Sequence, residues 1–460
     1  MRRDTIVSAL LGLSIIVSLM LSYFVLFDSQ QLSRLINEAD SRSTKQSVTP
    51  DTTRNSFYNK ADLTIREVFY PNQLIVKKGK QLYDVNSQTV LQRVEQQLFT
   101  HRMELTEDKV VANPDSYRKL FEQDSLEMVF AKPFPITMLD HLMSIKTDGN
   151  LVFEFDRLIW LKGNRDYAYA INSRDQIYLP LRMNDEVASQ LFAIVEESQS
   201  TWYTVDRLNV QNGVVYLPQI ASTLNVEYYM LERIPDTQFI GDVFPTTNFN
   251  ILETHSADIK KLNNYQVTLT LNNQTQMMSL DVSQPNQKVP KTSEQKLRAS
   301  FTELRQYEYW DDGMRYDGTN DFVVKYRRYL NGVPIVSESA TLDYAATIIN
   351  LRPKARRDGY IYQMPTLLLH ARLNAMVEPI QLMASHEIQS VIEATGMGLH
   401  DFTRIFIGYE WRSEMEQFQV AKLVPTWYVE HNNGLYTLEE LQNGTLQREQ
   451  QAVGIIGHNE

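Results

Sequence analysis

The chain has 460 residues, 43% hydrophobic and 22% charged, and this length and composition predict two or three folded units beside any membrane segment. Its formal net charge of −11 argues against nucleic acid as a partner and against an anionic lipid surface as the main binding surface. The chain contains no cysteine, which excludes disulfides, thiolate metal sites and a cysteine nucleophile.

The first predicted element is an apolar segment over residues 5–27 that contains no charged side chain. A helix of this length rises roughly 34 Å, enough to cross a hydrocarbon core of about 30 Å. Arg2 and Arg3 precede it, and short basic segments stay in the cytoplasm. We therefore expect a single-pass signal anchor in the cell membrane and lipid bilayer, with residues 1–4 cytoplasmic and the bulk of the chain extracellular. A cleaved signal peptide is the competing interpretation, but it needs a shorter apolar core and small residues at the cut.

Small residues recur at every fourth position of this segment. Ser14, Ser18 and Ser22 share one spacing, and Ser8 and Gly12 repeat it on the adjoining sector. Small side chains let two helices approach closely in lipid, so this stripe is a candidate helix–helix contact. The alternative is that the hydroxyl groups bond to carbonyl groups of their own helix, and one sequence leaves both interpretations open.

A polar stalk is predicted over residues 28–59, because this segment is rich in Ser, Thr, Asp and Asn and lacks apolar periodicity. Residues 60–245 predict an N-terminal α+β ectodomain with antiparallel strands, since gaps of hairpin length join the strands. The expected strands are Leu63–Phe69, Gln73–Lys77, Leu126–Phe130, Leu151–Leu161, Tyr167–Asn172 and Gln176–Leu179. The expected helices are Gln88–Phe99, Tyr117–Phe121 with Asp115 as its cap, Ile136–Ser144 and Asn184–Glu197.

Proline and glycine residues predict a boundary near residue 245, after which a central α+β domain is expected over residues 246–365. Its predicted helix is Glu294–Tyr307, with Ser293 as the cap. An Asn331-Gly332 turn separates two of its strands. The predicted strands are Phe249–Glu253, Gln266–Leu271, Gln276–Asp281, Asp321–Tyr329, Ile335–Glu338 and Thr341–Leu351.

A C-terminal α+β domain is predicted over residues 366–460. Its helix, Gln381–Thr395, ends before Gly396, which is a typical residue after a helix C-terminus. A helix thus precedes a meandering sheet in both the central and the C-terminal domain, which suggests two related units. The predicted strands are Asp401–Trp411, Glu416–Val424, Trp427–Glu430 and Leu435–Thr437.

No catalytic motif is recognisable in the sequence. His386-Glu387 lacks the second histidine of a zinc-protease motif, and Gly396-Met397-Gly398 lacks the third glycine and the strand of a dinucleotide fingerprint. Walker loops and nucleophile elbows are absent as well. The sequence therefore predicts a protein that is not an enzyme, with no catalytic residue, no cofactor and no metal. A hydrolase would require a cleft that brings His386 and Glu387 to another acid or serine.

One basic cluster stands out from the acidic chain: Arg352, Lys354, Arg356 and Arg357. The cluster is a candidate patch for an anionic partner, such as an acidic protein surface, a wall polymer or lipid headgroups. The alternative is a solvated loop without a partner.

Three strings near the C-terminus resemble the YycH (WalH) family, in the context of the short basic end, the apolar segment, the polar stalk and the cysteine-free ectodomain. The strings are residues 329–334 (YLNGVP), 407–410 (IGYE) and 423–429 (LVPTWYV). The resemblance extends over essentially the whole chain in length and layout.

This resemblance implies a fold and a function. Members of the family are accessory regulators of the YycFG (WalRK) two-component system, which governs cell-wall turnover. They associate with the sensor histidine kinase YycG (WalK) and with the single-pass protein YycI (WalI), largely through membrane helices, and their C-terminal part resembles YycI in fold. The resemblance thus implies a non-enzymatic regulator, with no indication of whether it inhibits or activates the kinase.

An extracellular binding module for a cell-wall polymer or peptide is the alternative function. It requires an exposed groove with aromatic and basic side chains, and Tyr360 and Tyr362 beside the basic cluster at residues 352–357 are its candidates.

Overall fold

Two large sheets dominate the structure, which is a computed structural model. The structure describes residues 59–85, 87–101, 103–105, 110–138, 152–245, 249–252, 256–283, 290–338, 342–351, 359–373, 378–413, 420–446 and 448. All of these residues belong to one compact unit. Within the described ranges, no helix is both long enough and apolar enough to cross a membrane. The anchor predicted at residues 5–27 and most of the stalk lie outside these ranges.

The first sheet contains nine strands among the described residues, and all neighbouring strands are antiparallel. The strands are β1 (Gln73–Lys78), β2 (Gln81–Val85), β3 (Glu104–Leu105), β4 (Ser125–Pro135), β5 (Glu154–Leu161), β6 (Asn164–Asn172), β7 (Ile177–Arg182), β8 (Trp202–Val210) and β9 (Gly213–Pro218). Their order across the sheet is β3-β7-β6-β5-β4-β1-β2-β8-β9.

Five α-helices lie between or beside these strands in the described part of the chain, and two of them, over residues 65–68 and 236–243, contact the second sheet. The five are α1 (Ile65–Val68), α2 (Gln88–Thr100), α3 (Pro114–Leu120), α4 (Asp185–Glu196) and α5 (Asp236–Val243). Helices α2 and α4 contact each other, and the apolar positions of α2 at 90, 91, 94 and 98 are buried in the main core. On strands β1 and β4, residues 75 and 129 contact side chains of the β8–β9 hairpin at 205 and 216. The hairpin therefore folds back over its own sheet.

The second sheet contains fifteen strands among the described residues. They are β10 (Ser222–Arg233), β11 (Asn250–Leu252), β12 (Ile259–Asn263), β13 (Val267–Asn272), β14 (Met277–Ser283), β15 (Met314–Asn320), β16 (Val323–Leu330), β17 (Val333–Ser337), β18 (Ala346–Asn350), β19 (Gly359–Pro365), β20 (Leu367–Arg372), β21 (Glu378–Leu382), β22 (Arg404–Ser413), β23 (Val420–His431) and β24 (Gly434–Thr437). The pairing is antiparallel except between β17 and β22. That parallel pair joins residues that are far apart in sequence.

Three further helices pack on the second sheet: α6 (Ser293–Tyr307), α7 (Ser385–Ala394) and α8 (Leu438–Gln442). Helix α6 buries Leu297 and Leu304 in the main core, and its Ser300 hydroxyl lies 2.7 Å from the hydroxyl of Tyr326. Helices α7 and α8 contact each other over a separate, smaller core that contains Trp427. The second sheet thus has one apolar core under α6 and another under α7 and α8.

The α+β class and the antiparallel sheets are confirmed, but several predicted elements were wrong in detail. The strand predicted at Leu63–Phe69 is the helix α1, because Thr64 and Glu67 form a capping box at its N-terminus. Asp115 does not cap α3, since Asn113 accepts the hydrogen bonds from the first turn. The predicted start of the last helix at Gln381 belongs to β21, and α7 begins only at residue 385.

At other elements the predicted and the observed ends or caps differ by fewer residues. Thr292, one residue before the predicted Ser293, caps α6 by accepting from the backbone N–H of Gln295. Of the helix predicted at Ile136–Ser144, residues 136–138 form a turn of 3₁₀ helix, and residues 139–144 lie outside the described ranges. The turn glycine Gly396 has the expected left-handed φ of +80° directly after the helix. The domain boundaries at residues 245 and 365 and the resemblance to YycI stay predictions.

Candidate ligand cavity

A cavity of ≈ 730 Å³ lies where the two sheets meet. Its walls come from strands β1, β2, β4 and β5 of the first sheet, from the β8–β9 hairpin, and from β10, β22 and the turn before β17 of the second. A volume of this size falls within the range of about 300 to 1,000 Å³ that is typical of small-molecule sites. The cavity is therefore the candidate functional site.

The β8–β9 hairpin joins the two sides of this cavity. Its turn requires Gly213, whose φ is +147° and whose position faces the side chain of Ser173. Within the turn, the backbone N–H of Gln211 donates to the carbonyl of Phe402 at 2.8 Å. Val210 and Leu217 of the hairpin are buried in the same small core as Trp427. The hairpin is thus anchored in the second sheet by its tip and in the first sheet by its base.

Asp84 is a buried carboxylate on the wall of the cavity, with only 5% of its surface exposed. The side-chain amide of Gln73 donates to Asp84 Oδ2 at 2.9 Å, and the hydroxyl of Tyr203 donates to the same oxygen at 3.1 Å. No cationic side chain in the described part of the chain pairs with it. Burial therefore raises the pKa of the Asp84 carboxyl to about 6, against the lowering effect of its two hydrogen bonds.

A second polar cluster lies beneath the hairpin, centred on the fully buried Arg157. Its guanidinium group is 3.1 Å from Asp156 and 3.5 Å from Glu127, and it donates to the carbonyl of Val214 at 3.2 Å. Burial alone lowers the pKa of Arg157, but Asp156, Tyr216 and Glu127 outweigh it and raise that pKa overall. Because these partners keep Arg157 charged, two carboxylates balance one guanidinium group here.

A third cluster approaches the cavity from the second sheet. Arg404 of β22 forms ion pairs with Asp317 at 3.0 Å and with Glu430 at 2.9 Å. Lys132 of β4 also pairs with Glu430, at 2.5 Å, which connects the two sheets. Arg327 pairs with Asp317 at 2.6 Å on the buried side. Lys132 and Arg404, which both line the cavity, therefore already have anionic partners.

The Asn331-Gly332 turn has the predicted geometry, with φ values of +51° and +81°. It lines the cavity, and a β-carbon at Gly332 would collide with the side-chain amide of Gln88 on α2. Just before the turn, Tyr329 Oη accepts from Asn72 Nδ2 at 3.2 Å. The string at residues 329–334 is thus part of the junction between the sheets. Ile407 and Trp427, from the other two strings, also line the cavity.

The other predicted site residues either lie outside the described ranges or contribute no site. The candidate helix contact (Ser8, Gly12, Ser14, Ser18 and Ser22) and the basic cluster (Arg352, Lys354, Arg356 and Arg357) lie outside those ranges, so both stay predictions. Among the described residues, no group of three or more histidine and acidic side chains is arranged to hold a metal. Asp84, Gln73, Tyr203 and Trp427 were not predicted as site residues, although the strings at 329–334, 407–410 and 423–429 pointed to the same junction.

Two predicted features need correction or a new role. Tyr360 and Tyr362 do not form an exposed aromatic groove, because only 4% and 0% of their surfaces are exposed. Both side chains point into the core of the second sheet.

Glu387 accepts a hydrogen bond from the backbone N–H of Ala384 at 2.7 Å, and His386 is exposed beside it. Glu387 therefore acts as a cap for helix α7.

Comparisons with known proteins agree with these features. Residues 212–443, half of the chain, match a family model described as the C-terminal domain of YycH protein. The crystal structure of YycH from Bacillus subtilis is similar over 83% of this chain and 98% of that chain, with a TM-score of 0.66 and 14% identity, which supports the fold. A crystal structure of an uncharacterized protein from Eubacterium rectale covers 51% of this chain and 88% of its own, with 8% identity, but its TM-score of 0.30 carries no argument. No curated protein matches the sequence.

Proposed function

Because the chain belongs to the YycH family, we propose that it is a non-enzymatic, membrane-anchored regulator of a sensor histidine kinase of the YycG (WalK) type, which controls cell-wall turnover. The observation that carries this proposal is the family match over residues 212–443, which includes all three strings of the original resemblance. The uncharged segment at residues 5–27 would hold the chain in the cell membrane, with its short basic end in the cytoplasm.

Contact between membrane helices is the proposed means of control, together with a YycI-like partner. A kinase with two conformations responds to a ligand or neighbour that binds one of them better, and a coupling of about 1 to 3 kcal/mol changes its populations appreciably. Helix contacts through small residues and hydroxyl groups contribute energies of this order in lipid. The stripe of Ser14, Ser18 and Ser22, with Ser8 and Gly12 beside it, supplies such residues.

The experiment that tests this proposal expresses residues 1–36 alone in a strain that lacks the protein. We expect this segment to restore normal output of a promoter controlled by the kinase. The matched control is the same segment with Ser14, Ser18 and Ser22 changed to Leu, which stays apolar and of equal length but should not restore control. Failure of the unchanged segment, with the full chain active in the same strain, would place the function in the extracellular part.

The cavity between the sheets favours a second function, in which the extracellular part binds a small ligand or peptide. Because Tyr360 and Tyr362 are buried, they do not form the exposed aromatic groove that the sequence predicted for this function. The cavity instead offers apolar walls and a few polar groups, which is the usual composition of a ligand site. Ligand binding there and helix contact in the membrane are compatible, since they involve different parts of the chain.

A further inference from the structure

We propose that the cavity binds a ligand through a primary ammonium group, with the Asp84 carboxylate as its counter-ion. This inference deepens the binding function proposed for the extracellular part and is independent of control of the kinase. It follows from three properties of the wall: the balance of its charges, the atoms that remain available around Asp84, and the space in front of them.

Among the buried charged side chains on the wall, Asp84 has no partner of opposite charge in the described part of the chain, whereas Glu154, Arg174 and Asp175, which also line the wall, are partly or fully exposed to solvent. Lys132 and Arg404 have Glu430 as a shared anionic partner. Arg157 has Asp156 and Glu127. The buried carboxylate of Asp84 has two neutral hydrogen-bond donors and no cation within the described part of the chain. A buried charge of this kind is unfavourable unless a cation pairs with it, so the missing partner has to be positive.

The atoms around Asp84 favour an ammonium group over other cations. Both donors from the protein bind Oδ2, and no donor among the described residues reaches Oδ1. Gln73 donates through Nε2 to Asp84 and to the carbonyl of Tyr216, and its Oε1 accepts from no described donor. One carboxylate oxygen and one amide oxygen thus remain as acceptors. An ammonium group has three donors that rotate freely and suits such a site.

Two other cations fit this arrangement less well. A guanidinium group binds a carboxylate best through two parallel hydrogen bonds, but Oδ2 already accepts from Gln73 and Tyr203. A divalent ion such as Ca²⁺ requires about 6 to 8 oxygen ligands. The described residues provide no group of three or more acidic or histidine side chains for such an ion.

The space in front of Asp84 indicates that the ammonium group is carried on an organic stem. The cavity volume of ≈ 730 Å³ is much larger than an ammonium ion needs, and Val333, Phe406 and Trp427 contribute apolar surface to its walls. Burial of apolar surface on these walls would add to the ion pair. A peptide with a free amino terminus and a side-chain amine of the lysine type both have this chemistry.

Three synthetic probes test the proposal by isothermal titration calorimetry on the full-length protein in a mild detergent near neutral pH. The first is tetra-alanine amide with a free amino terminus, the second is its N-acetylated form, and the third is an N-acetylated peptide with one lysine. We expect binding of the first or the third probe and none of the second. The probe that binds identifies the source of the amine.

The variant Asp84→Asn keeps an oxygen for Gln73 and Tyr203 but removes the charge, and it should weaken binding of the amine probe by about tenfold or more. The matched control is Asp175→Asn, which removes an exposed carboxylate from the same cavity wall and should leave the affinity within about twofold. Equal binding of the acetylated, lysine-free probe, an unchanged affinity in Asp84→Asn, or binding of neither amine probe would overturn the proposal.

Discussion

The variant Asp84→Asn should make the protein more stable at neutral and alkaline pH. Burial raises the pKa of this carboxyl from 3.8 to about 6. A difference of about 2 pH units between the folded and unfolded states corresponds to roughly 3 kcal/mol. Below pH ~3.8 the Asp84 carboxyl is protonated in the folded and the unfolded state, and its contribution to stability is at its full value. As the pH rises through ~6 this contribution is lost, because the folded state then has to hold a buried, unpaired charge.

Asparagine has nearly the same shape, and its oxygen can still accept from Gln73 and Tyr203. At about pH 8 the free energy of unfolding of Asp84→Asn should therefore exceed that of the wild type by up to about 3 kcal/mol, whereas near pH 4 the two should agree within about 1 kcal/mol. Urea denaturation of the full-length protein in detergent, followed by tryptophan fluorescence, measures both values.

Asp175→Asn is the control for this experiment, because that carboxylate is exposed and its loss should change stability by no more than about 0.5 kcal/mol at either pH. An Asp84→Asn protein that is equally or less stable than the wild type at the higher pH would refute the reasoning. Such a result would mean that the ionised carboxylate already has a favourable environment in the free protein, and the argument for a missing cation would fail with it.

Two further variants test the buried charges and the turn by the same denaturation experiment. Asp317→Asn leaves Arg327 without its partner at 2.6 Å and should lower the free energy of unfolding by about 3 to 5 kcal/mol at neutral pH. Burial alone raises the pKa of Asp317, but Arg327, Arg404 and two nearby lysines together outweigh it and the pKa falls below 3.8, so the loss should shrink in acid. Gly332→Ala should cost about 1 to 3 kcal/mol, because its φ of +81° is one that an alanine rarely adopts, whereas the end of the Gln88 side chain near the added carbon is flexible and can move. Gly241→Ala, in an open position of α5, should be neutral or stabilising by up to about 1 kcal/mol, and an equal loss at both glycines would contradict this explanation.

Local signals predicted much of the secondary structure. A helix was predicted over Asn184–Glu197 and is observed as α4, with Asn184 as its N-terminal cap, and the Asn331-Gly332 turn has both left-handed residues that a tight hairpin requires. The strand predicted at residues 63–69 was wrong because Thr64 and Glu67, three residues apart, form a capping box that starts a helix, a signal that is visible in the sequence.

Long-range pairing was beyond the reach of these local patterns. Strand β17 pairs in parallel with β22, so Ile335 lies beside Tyr409, and no periodicity in either segment indicates that partner. The burial of Asp317 is equally non-local, because one of its two guanidinium partners, Arg404, lies 87 residues away on β22. A charged residue in a polar segment reads as exposed until its partner is known.

The candidate site illustrates the same limit. Asp84 lies in a short alternating strand, where a single aspartate is ordinarily expected on the solvent side. Its environment depends on a distant segment, because β8 pairs with β2 and places Tyr203 directly opposite Asp84. The strings at residues 329–334 and 423–429 contribute residues to the wall of this cavity, yet their aromatic, proline and glycine residues gave no information about its charges.

The instability expected at Asp84 and the ligand proposed for the cavity are two consequences of one unpaired charge. A ligand that binds only the folded state stabilises it by an amount that grows with its concentration relative to its dissociation constant. An ammonium group beside Asp84 would also lower the pKa of that carboxyl, so the ligand would stabilise the protein most where the free protein is penalised, above about pH 6. Because the cavity wall includes both sheets and the hairpin between them, occupation of the site would also favour the arrangement in which these parts are in contact.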